Sequence, residues 1–537
     1  MDIVRRTLRS GFAHLEAALD RVFPPAWQPL YHLGALAFFC LWVVTVSGIY
    51  VYVFFDTGTV DAWLSVERMT VEHWYHAGVM RSLHRYASGG LVLFMLVHLL
   101  REFSLDRYRG SRWFTWVTGV VVIWLVYVSG ITGYWLVWDE LAQFVAIRTA
   151  ELVDAIGIFG EPIARNFLSP ASLDDRFFTL MLFLHIAVPL ILLAFLWVHL
   201  QRVSRPEINP ARGLTVMMLV GMVLLSLVKP AVSQPPADLA RMLGEVRLDW
   251  YYLGLYPLAD VIGQRGLLGL LAVGTICLAA LPLMPPLRRA PAATVNLEFC
   301  NGCDRCVQDC PYAAVRLVPR TDGLPFEHEA RVDPSLCVSC GICTGACPTA
   351  TPFRQRGRMV AGIELPHLAL KDLRALTDRA AEGLTGDRRV LVFGCDHGVP
   401  LDGIAGEGVG VVRLPCTGML PPAFIDYSLS RDLADGVVLT GCAEEACFNR
   451  EGIAWTEARV TRRRDPYLRE RVPRERVLRV WPGKTGAALL AQELDAFRAG
   501  LPQQPSARSV PRAKAAPPAD PAALSIEPAA APGGGDD

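Results

Sequence analysis

Charge is what this sequence has least of. Only 19% of its 537 residues are Asp, Glu, Lys or Arg, and 52 basic residues balance 52 acidic ones. With a net charge of zero, nothing points to nucleic acid as a partner. Hydrophobic residues reach 52%, and the mean hydropathy is positive. That balance implies membrane segments on part of the chain rather than a uniformly soluble protein. Cysteine is almost missing before residue 300, where only Cys40 and Cys277 occur. No cleavable signal peptide is evident. The start is Arg-rich, but the first apolar run begins near residue 29 and is long enough to span a membrane. There is also no glycine-rich nucleotide motif and no nickel- or molybdenum-type catalytic constellation, which leaves substrate chemistry to a partner.

The other cysteines crowd together after residue 299. Residues 300 to 310 read Cys-x2-Cys-x2-Cys-x3-Cys followed by Pro311, and residues 337 to 347 repeat the pattern before Pro348. Thiolates at these spacings wrap a [4Fe–4S] cube, and in two-cluster ferredoxins the fourth Cys serves the other cube. Cys300, Cys303, Cys306 and Cys347 are therefore assigned to one cluster, and Cys337, Cys340, Cys343 and Cys310 to the second. Zinc sites use four ligands and do not call for eight in a doubled array. A disulfide framework does not suit a reducing compartment.

Six runs are long enough to cross a bilayer, which takes about 20 apolar residues. They cover roughly 29–55, 83–103, 113–137, 177–201, 213–233 and 264–285. Arginines cluster before the first, between the second and third, between the fourth and fifth, and after the sixth. All four clusters fall on one side of an up-down bundle, which the positive-inside rule makes cytoplasmic. The expected fold is multidomain. Residues 1–290 form an α-helical membrane bundle of about six spans, and 291–352 an α+β bacterial-type ferredoxin. Residues 353–388 are a connector with a helix near 366–382. Residues 389–501 form a small α/β domain with a parallel sheet, built on the runs Val390–Phe393, Val409–Leu414, Gly436–Leu439 and Val477–Val480. The Pro-, Ala- and Gly-rich stretch 502–537 reads as disordered.

The second span carries His84 and His98, the fourth His185 and His199; each pair is 14 residues apart. Fourteen residues rise ~21 Å in almost four whole turns, so both members share a helix face near opposite membrane edges. Two such helices facing each other give two stacked bis-histidine sites, His84 with His185 near the outer edge and His98 with His199 near the inner. Ionisable groups in spans are costly and usually functional. Gly34 and Gly48 in the first span, and Gly119 and Gly133 in the third, repeat the 14-residue spacing. They leave room for a porphyrin against the backbone. Arg81 and Arg101 stand three residues outside the first histidine pair, where they either neutralise haem propionates or snorkel to the surface.

These residues resemble cytochrome b of the bc-type quinol-oxidising complexes. The likeness covers about residues 25–285, including Arg81-x2-His84 and Gly133-Tyr-Trp-Leu-Val-Trp138. It implies two haems b, of high and low potential, with quinone sites near each face. Arg247-Leu-Asp-Trp-Tyr-Tyr252, in the outer loop between the fifth and sixth spans, looks like the family's Pro-Glu-Trp-Tyr quinol-oxidation motif, with Leu248 for Pro and Asp249 for Glu. Asp249 and Tyr251 are the candidate quinone residues, since a carboxylate there can take the proton of an oxidised quinol. The alternative is an aromatic membrane belt of Trp250, Tyr251 and Tyr252. Asp139 and Glu140 are secondary candidates. On the inner side, His199-x6-Pro206 and Asn209-Pro210 resemble the family's helix end, and His32 and Arg202 are the guesses for a quinone ligand.

Cys395, Cys416, Cys442 and Cys447 remain. Each follows a strand-like run, so a parallel sheet brings them to one edge, where α/β domains carry their sites. Four thiolates there suit a [2Fe–2S] cluster or zinc. Residues 389–500 resemble the delta subunit of methyl-viologen-reducing hydrogenase, through Cys416-Thr-Gly, Asp435-Gly-Val and Gly441-Cys-x4-Cys447. The resemblance implies a [2Fe–2S] cluster and a flavoprotein partner of the heterodisulfide reductase A type. His397 stands where relatives often have a second Cys and is read as a solvated neighbour rather than a ligand.

The chain thus reads as a fused electron wire: [2Fe–2S], two [4Fe–4S], two haems b and quinone. It is expected in the cytoplasmic membrane of a prokaryote, multi-pass, with its iron–sulfur domains in the cytoplasm. Electrons pass between a cytoplasmic flavoprotein, dehydrogenase or hydrogenase and the quinone pool. Quinol oxidation driving electrons inward, and a redox sensor or scaffold without turnover, are the alternatives. A homodimer is left open.

Overall fold

Apolar side chains on every face of a helix, with its own backbone groups satisfied internally, leave lipid as the natural solvent. The computed structural model, which describes residues 2–158, 162–163, 173–201, 207–241, 245–249, 252–284, 290–354 and 359–502, contains such helices. After an amphipathic α1 (Asp2–Leu19), the bundle comprises α2 (Leu33–Phe54), α4 (Val79–Ser104), α5 (Trp113–Val137), α7 (Asp175–Gln201), α8 (Arg212–Val228) and α10 (Gln264–Ala280). Shorter α3 (Asp61–Val71), α6 (Glu140–Asp154) and α9 (Leu255–Ile262) lie between them. Among the described residues five helices are long and apolar enough to cross a membrane, one fewer than the six expected. The difference is α8, expected over 213–233. It stops at Val228 because Pro230 disfavours a helical residue before it, and its 17 residues rise only ~26 Å.

The bundle packs in pairs, α2 against α4 and α5 against α7. The sharp exit of α5 is made by Trp138 in a left-handed conformation, φ 51°. Asp139 then caps α6 by accepting from the Ala142 amide at 2.9 Å, as an N-cap carboxylate does.

Past the membrane section, β1 (Thr294–Val295) pairs antiparallel with β4 (Ile363–Glu364), and β2 (Val315–Pro319) with β3 (His328–Val332). Two short helices, α11 (Arg305–Gln308) and α12 (Ile342–Ala346), carry the third cysteine of each repeat. The connector helix α13 covers Leu370–Glu382. The last section is a parallel sheet of β5 (Val390–Cys395), β6 (Val409–Leu414), β7 (Gly436–Thr440) and β8 (Val477–Val480), in the order β6-β5-β7-β8. Its central strands β5 and β7 are buried along their whole length, as parallel strands covered by helices on both faces must be. Of the helices around it, α13 packs on β6, α14 (Pro422–Ser430) on β7 and α16 (Ala487–Gly500) on β8, while α15 (Gly452–Val460) packs on the turn Thr417–Met419.

The two soluble sections share one core. Cys306, Ile363 and Leu365 belong to the same apolar cluster as Phe393, Met419 and Phe424. Across it, Asp309, next to Cys310, pairs with Arg459 and Arg464; Asp309 and Arg459 are both fully buried. Removing one partner of a buried ion pair strands the other charge and costs ~3–5 kcal/mol, whereas an apolar replacement of both is often neutral. Asp309→Ala is therefore expected to lower the unfolding temperature of the purified protein markedly. The double variant Asp309→Leu, Arg459→Met should recover most of the loss. Circular dichroism melts check this, and an Asp309→Ala protein that melts with its parent would rule the pair out as a fastener of the two sections.

Candidate functional site

The four bundle histidines lie against four glycines. A Cβ added at Gly48 would stand 2.9 Å from the His84 ring, at Gly133 2.9 Å from His185, at Gly119 3.3 Å from His199 and at Gly34 3.6 Å from His98. The missing side chains thus make room for the imidazoles, where the sequence suggested room for a porphyrin. Backbone partners complete the arrangement. His84 Nδ1 lies 3.0 Å from the Val44 carbonyl, and His185 Nδ1 lies 3.0 Å from that of Ser129. Each carbonyl is four residues before the facing glycine. A helical side chain covers the turn on its N-terminal side, so a glycine leaves the carbonyl one turn back uncovered. Hydroxyls add to the contacts: Thr132 lies 3.1 Å from His185 Nδ1 and Thr118 3.0 Å from His199 Nδ1.

A carbonyl can only accept, so Nδ1 of His84 and of His185 carries the proton and Nε2 keeps its lone pair. The two ring centroids are 6.3 Å apart. Two imidazoles on opposite sides of one metal atom, with metal–nitrogen bonds of ~2 Å, put their centroids about 6 Å apart. The outer pair therefore fits a shared metal of the haem type, with the tautomer fixed by partners that orient the rings.

The expected arginines are occupied by protein. Arg81 donates to Thr70 and, at 2.9 Å, to Ser233. Arg101 donates twice to Glu16, at 2.9 and 3.0 Å. Asp249 joins the outer site through two residues the sequence did not single out. It pairs with Arg85 and accepts from the Tyr134 hydroxyl. Arg85 follows His84 and Tyr134 follows Gly133, so the carboxylate is tied to both helix pairs at the level of that site. Tyr252, the last residue of the motif, donates to the Val126 carbonyl at 2.9 Å and stacks on Tyr127. Gly130 leaves the space for its hydroxyl. Trp250, Tyr251, Arg202 and Pro206 lie outside the described residues. Asp139 is engaged as the α6 cap, and His32 is buried with no hydrogen-bond partner for Nε2 among the described residues.

Beside the outer pair lies a cavity of about 310 Å³, lined by Tyr127, Thr132, Trp135, Met181 and Tyr256 among others. It falls within the size range of small-molecule sites, which are mostly apolar with a few polar groups. Its exposed lining is almost wholly apolar; the Trp135 indole N–H is itself buried, with no partner among the described residues.

In the soluble sections, one small cavity is lined by Cys300, Cys303, Cys306 and Cys347 together. The fourth cysteine of the second repeat thus joins three of the first. Burial, then the neighbouring thiols of Cys340, Cys310, Cys306 and Cys337, holds the Cys343 thiol well up; three of these neighbours are the partners assigned to it. At the sheet edge, Cys395, Cys442 and Cys447 share one buried cluster with Ile453. A hydrogen bond with Cys395 pushes Cys442 up to about 12. One with Cys447, and then burial, raises Cys416. Among the described residues no three His, Cys, Asp or Glu side chains converge tightly enough to chelate a single ion. His397 is half-buried, and its ring stacks on Phe448 at 3.6 Å.

Three family models match in succession. "Cytochrome b/b6/petB" matches residues 18–205, "4Fe-4S dicluster domain" 299–351 and "Methyl-viologen-reducing hydrogenase, delta subunit" 405–503. A solved structure titled "Hyperthermophilic respiratory Complex III" is similar at 18% identity and a TM-score of 0.38, over 47% of this chain and 74% of that one. A cytochrome b region implies haem b, and a 4Fe–4S dicluster region implies iron–sulfur clusters. The chain therefore carries a cytochrome b region, a 4Fe–4S dicluster region and a hydrogenase delta-subunit region in that order, and is a multi-pass membrane electron-transfer subunit.

Proposed function

We propose that the chain passes electrons between a cytoplasmic flavoprotein or dehydrogenase and membrane quinone. The observation that carries this reading is the His84–His185 pair, 6.3 Å apart, with both Nδ1 protons held by carbonyls of neighbouring helices. His84 and His185 would hold an outer haem b, and His98 and His199 an inner one. The cysteine groups would hold two [4Fe–4S] clusters and one [2Fe–2S]. These groups supply one-electron redox chemistry when bound. The protein's part is to orient the imidazoles, keep water out and handle protons. Gly34, Gly48, Gly119 and Gly133 admit the rings, and Arg81 and Arg101 stand at the two edges. The domain divisions are those expected from the sequence, with the cysteine groups on the cytoplasmic side and a flavoprotein of the heterodisulfide reductase A type as the soluble partner.

Quinone chemistry is assigned to the apolar cavity beside the outer pair. The Tyr127, Trp135 and Tyr256 side chains would enclose a quinone ring there. Asp249 would take or give the proton that accompanies each electron, with Tyr251 beside it in the motif. Arg85 and Tyr134 hold that carboxylate between the two helix pairs.

Purified, haem-replete protein is expected to contain about two haems b and about ten non-haem irons per chain, the sum of two cubes and one [2Fe–2S] centre. His84→Ala or His185→Ala should halve the haem measured by the pyridine haemochrome. Cys416→Ser should remove about two irons and leave the [4Fe–4S] EPR signals. Zinc at the last four cysteines would make that section a structural module instead.

Asp249→Asn is expected to slow quinol-driven haem reduction about a hundredfold, the scale of a lost general base, with haem and iron content unchanged. Asp249→Glu keeps the carboxylate and should keep most of the rate. Reduction by dithionite, which needs no quinone, should be the same in all three proteins. An Asn variant that reacts with quinol as fast as its parent would move quinone chemistry to the inner face, near His32 and Arg202.

A further inference from the structure

In sequence order the last four cysteines stand farthest from the membrane section. In the fold they lie against it. The loop between α4 and α5 carries Arg107 and Arg112. The Arg107 guanidinium lies 4.6 Å from the centre of the Phe448 ring and donates to the Phe448 carbonyl at 3.2 Å. Arg112 lies 5.4 Å from the same ring. Phe448 follows Cys447 and donates its amide to Cys442 Sγ at 3.5 Å. His397, stacked on Phe448, donates its own amide to Cys395 Sγ at 3.4 Å. Residues 25–27, just ahead of the first span, pack against 444–446. On the membrane side, Arg107 pairs with Glu102 at 3.4 Å, one turn beyond His98 on α4. One aromatic ring, one guanidinium and one carboxylate thus link the Cys442 and Cys447 thiols to the His98 helix.

The other groups fall in line behind. Helix α12, which bears Cys343, packs on the turn Thr417–Met419 directly after Cys416, and α11, which bears Cys306, packs on α12. The cavity of Cys300, Cys303, Cys306 and Cys347 is bounded by Leu317, Ala330 and Ile363, none of them from the bundle. A rival contact exists at Tyr312, two residues after Cys310, whose hydroxyl accepts from Arg112 at 2.7 Å. Arg112 also lies 5.4 Å from the centre of the Tyr312 ring, and the same hydroxyl donates to Asn449 at 3.0 Å, beside Phe448. Both contacts thus converge on the Cys442–Asn449 loop.

We propose that the Cys395, Cys416, Cys442 and Cys447 group is the membrane-proximal redox centre, coupled to the His98–His199 site through Phe448, and that the Cys300 group is the soluble partner's point of exchange. This rests on the proposed occupancy of these residues by haem and clusters. In each step one electron leaves the reduced iron–sulfur centre, which is oxidised, and reduces one ferric haem to ferrous; no bond is made and no proton is required. The reverse step balances in the same way. The electron comes from a reduced low-potential flavoprotein or, in reverse, from quinol.

Equilibrium redox titration of purified full-length protein tests the arrangement. A cluster with four thiolates is a negative charge, and removing it raises the potential of a haem beside it. Cys416→Ser should shift one haem midpoint upward, the one that His98→Ala removes, and leave the other in place. Cys303→Ser should move neither. A larger shift in Cys337→Ser or Cys303→Ser than in Cys416→Ser overturns the proposal. A kinetic arm decides if Cys416→Ser fails to fold. With photoreduced deazaflavin as donor, Phe448→Leu should slow haem reduction by the clusters about tenfold, and Tyr312→Leu should leave it within about twofold. Quinol-driven haem reduction should match the parent in both. The opposite ranking of the two variants overturns the proposal. Parent protein lacking haem or iron would instead sink the functional reading itself.

Discussion

An imidazole inside a membrane must have its N–H satisfied and its ring accommodated, and the bundle is built around that requirement. Water cannot supply the acceptor there, and an unsatisfied donor in an apolar medium costs several kcal/mol. The outer site answers with one residue type. Gly48 and Gly133 give the rings of His84 and His185 their space and uncover the carbonyls of Val44 and Ser129 that receive their protons. The helix pairings α2–α4 and α5–α7 follow, because each histidine helix needs a glycine helix beside it. Any side chain at Gly48 or Gly133 would force the ring to move and would cover its acceptor. The 14-residue repeat is thus a statement about hydrogen bonding as much as about ligand spacing.

Much of this was legible in the sequence because it is periodic. Histidines and glycines at the same interval on four apolar runs define faces, pairs and levels before any coordinates exist. The cysteine repeats and the four strands of the last sheet were legible for the same reason: short-range spacing and burial pattern determine them. What depends on long-range contact was not. Arg85 and Tyr134 hold Asp249 from two helices more than 100 positions away in the chain, and neither residue type is unusual near a membrane edge. The early end of α8 was signalled by Pro230, but the apolar run on either side of it outweighed that signal. The stacking partner of His397, Phe448, is 51 positions away, where no local pattern announces it.

The soluble part shows how little chain order says about spatial order. The two sections after the membrane share a core and a buried ion pair, so they present one rigid body to the bundle. Rigidity matters for an electron carrier, because the spacing between redox centres must not drift as the protein moves. A core packed across the Cys306 helix, the Cys343 helix and the Cys416 turn fixes those cysteine groups relative to one another.

The loop between α4 and α5 has a double role that follows from the same physics. Arginines accumulate on one side of a membrane protein because of insertion topology, and such residues are ordinarily solvated. Here Arg107 and Arg112 are drawn under the soluble body and stacked on Phe448 and Tyr312. Stacking on aromatic faces suits the weakly hydrated guanidinium better than it would a lysine ammonium. Were the last four cysteines to hold a cluster, as proposed, it would be anionic, and cations between it and the membrane would lower the cost of holding that charge near an apolar slab. Arg107 and Arg112 therefore hold against the bundle the face of the later sections that bears Cys442 and Cys447.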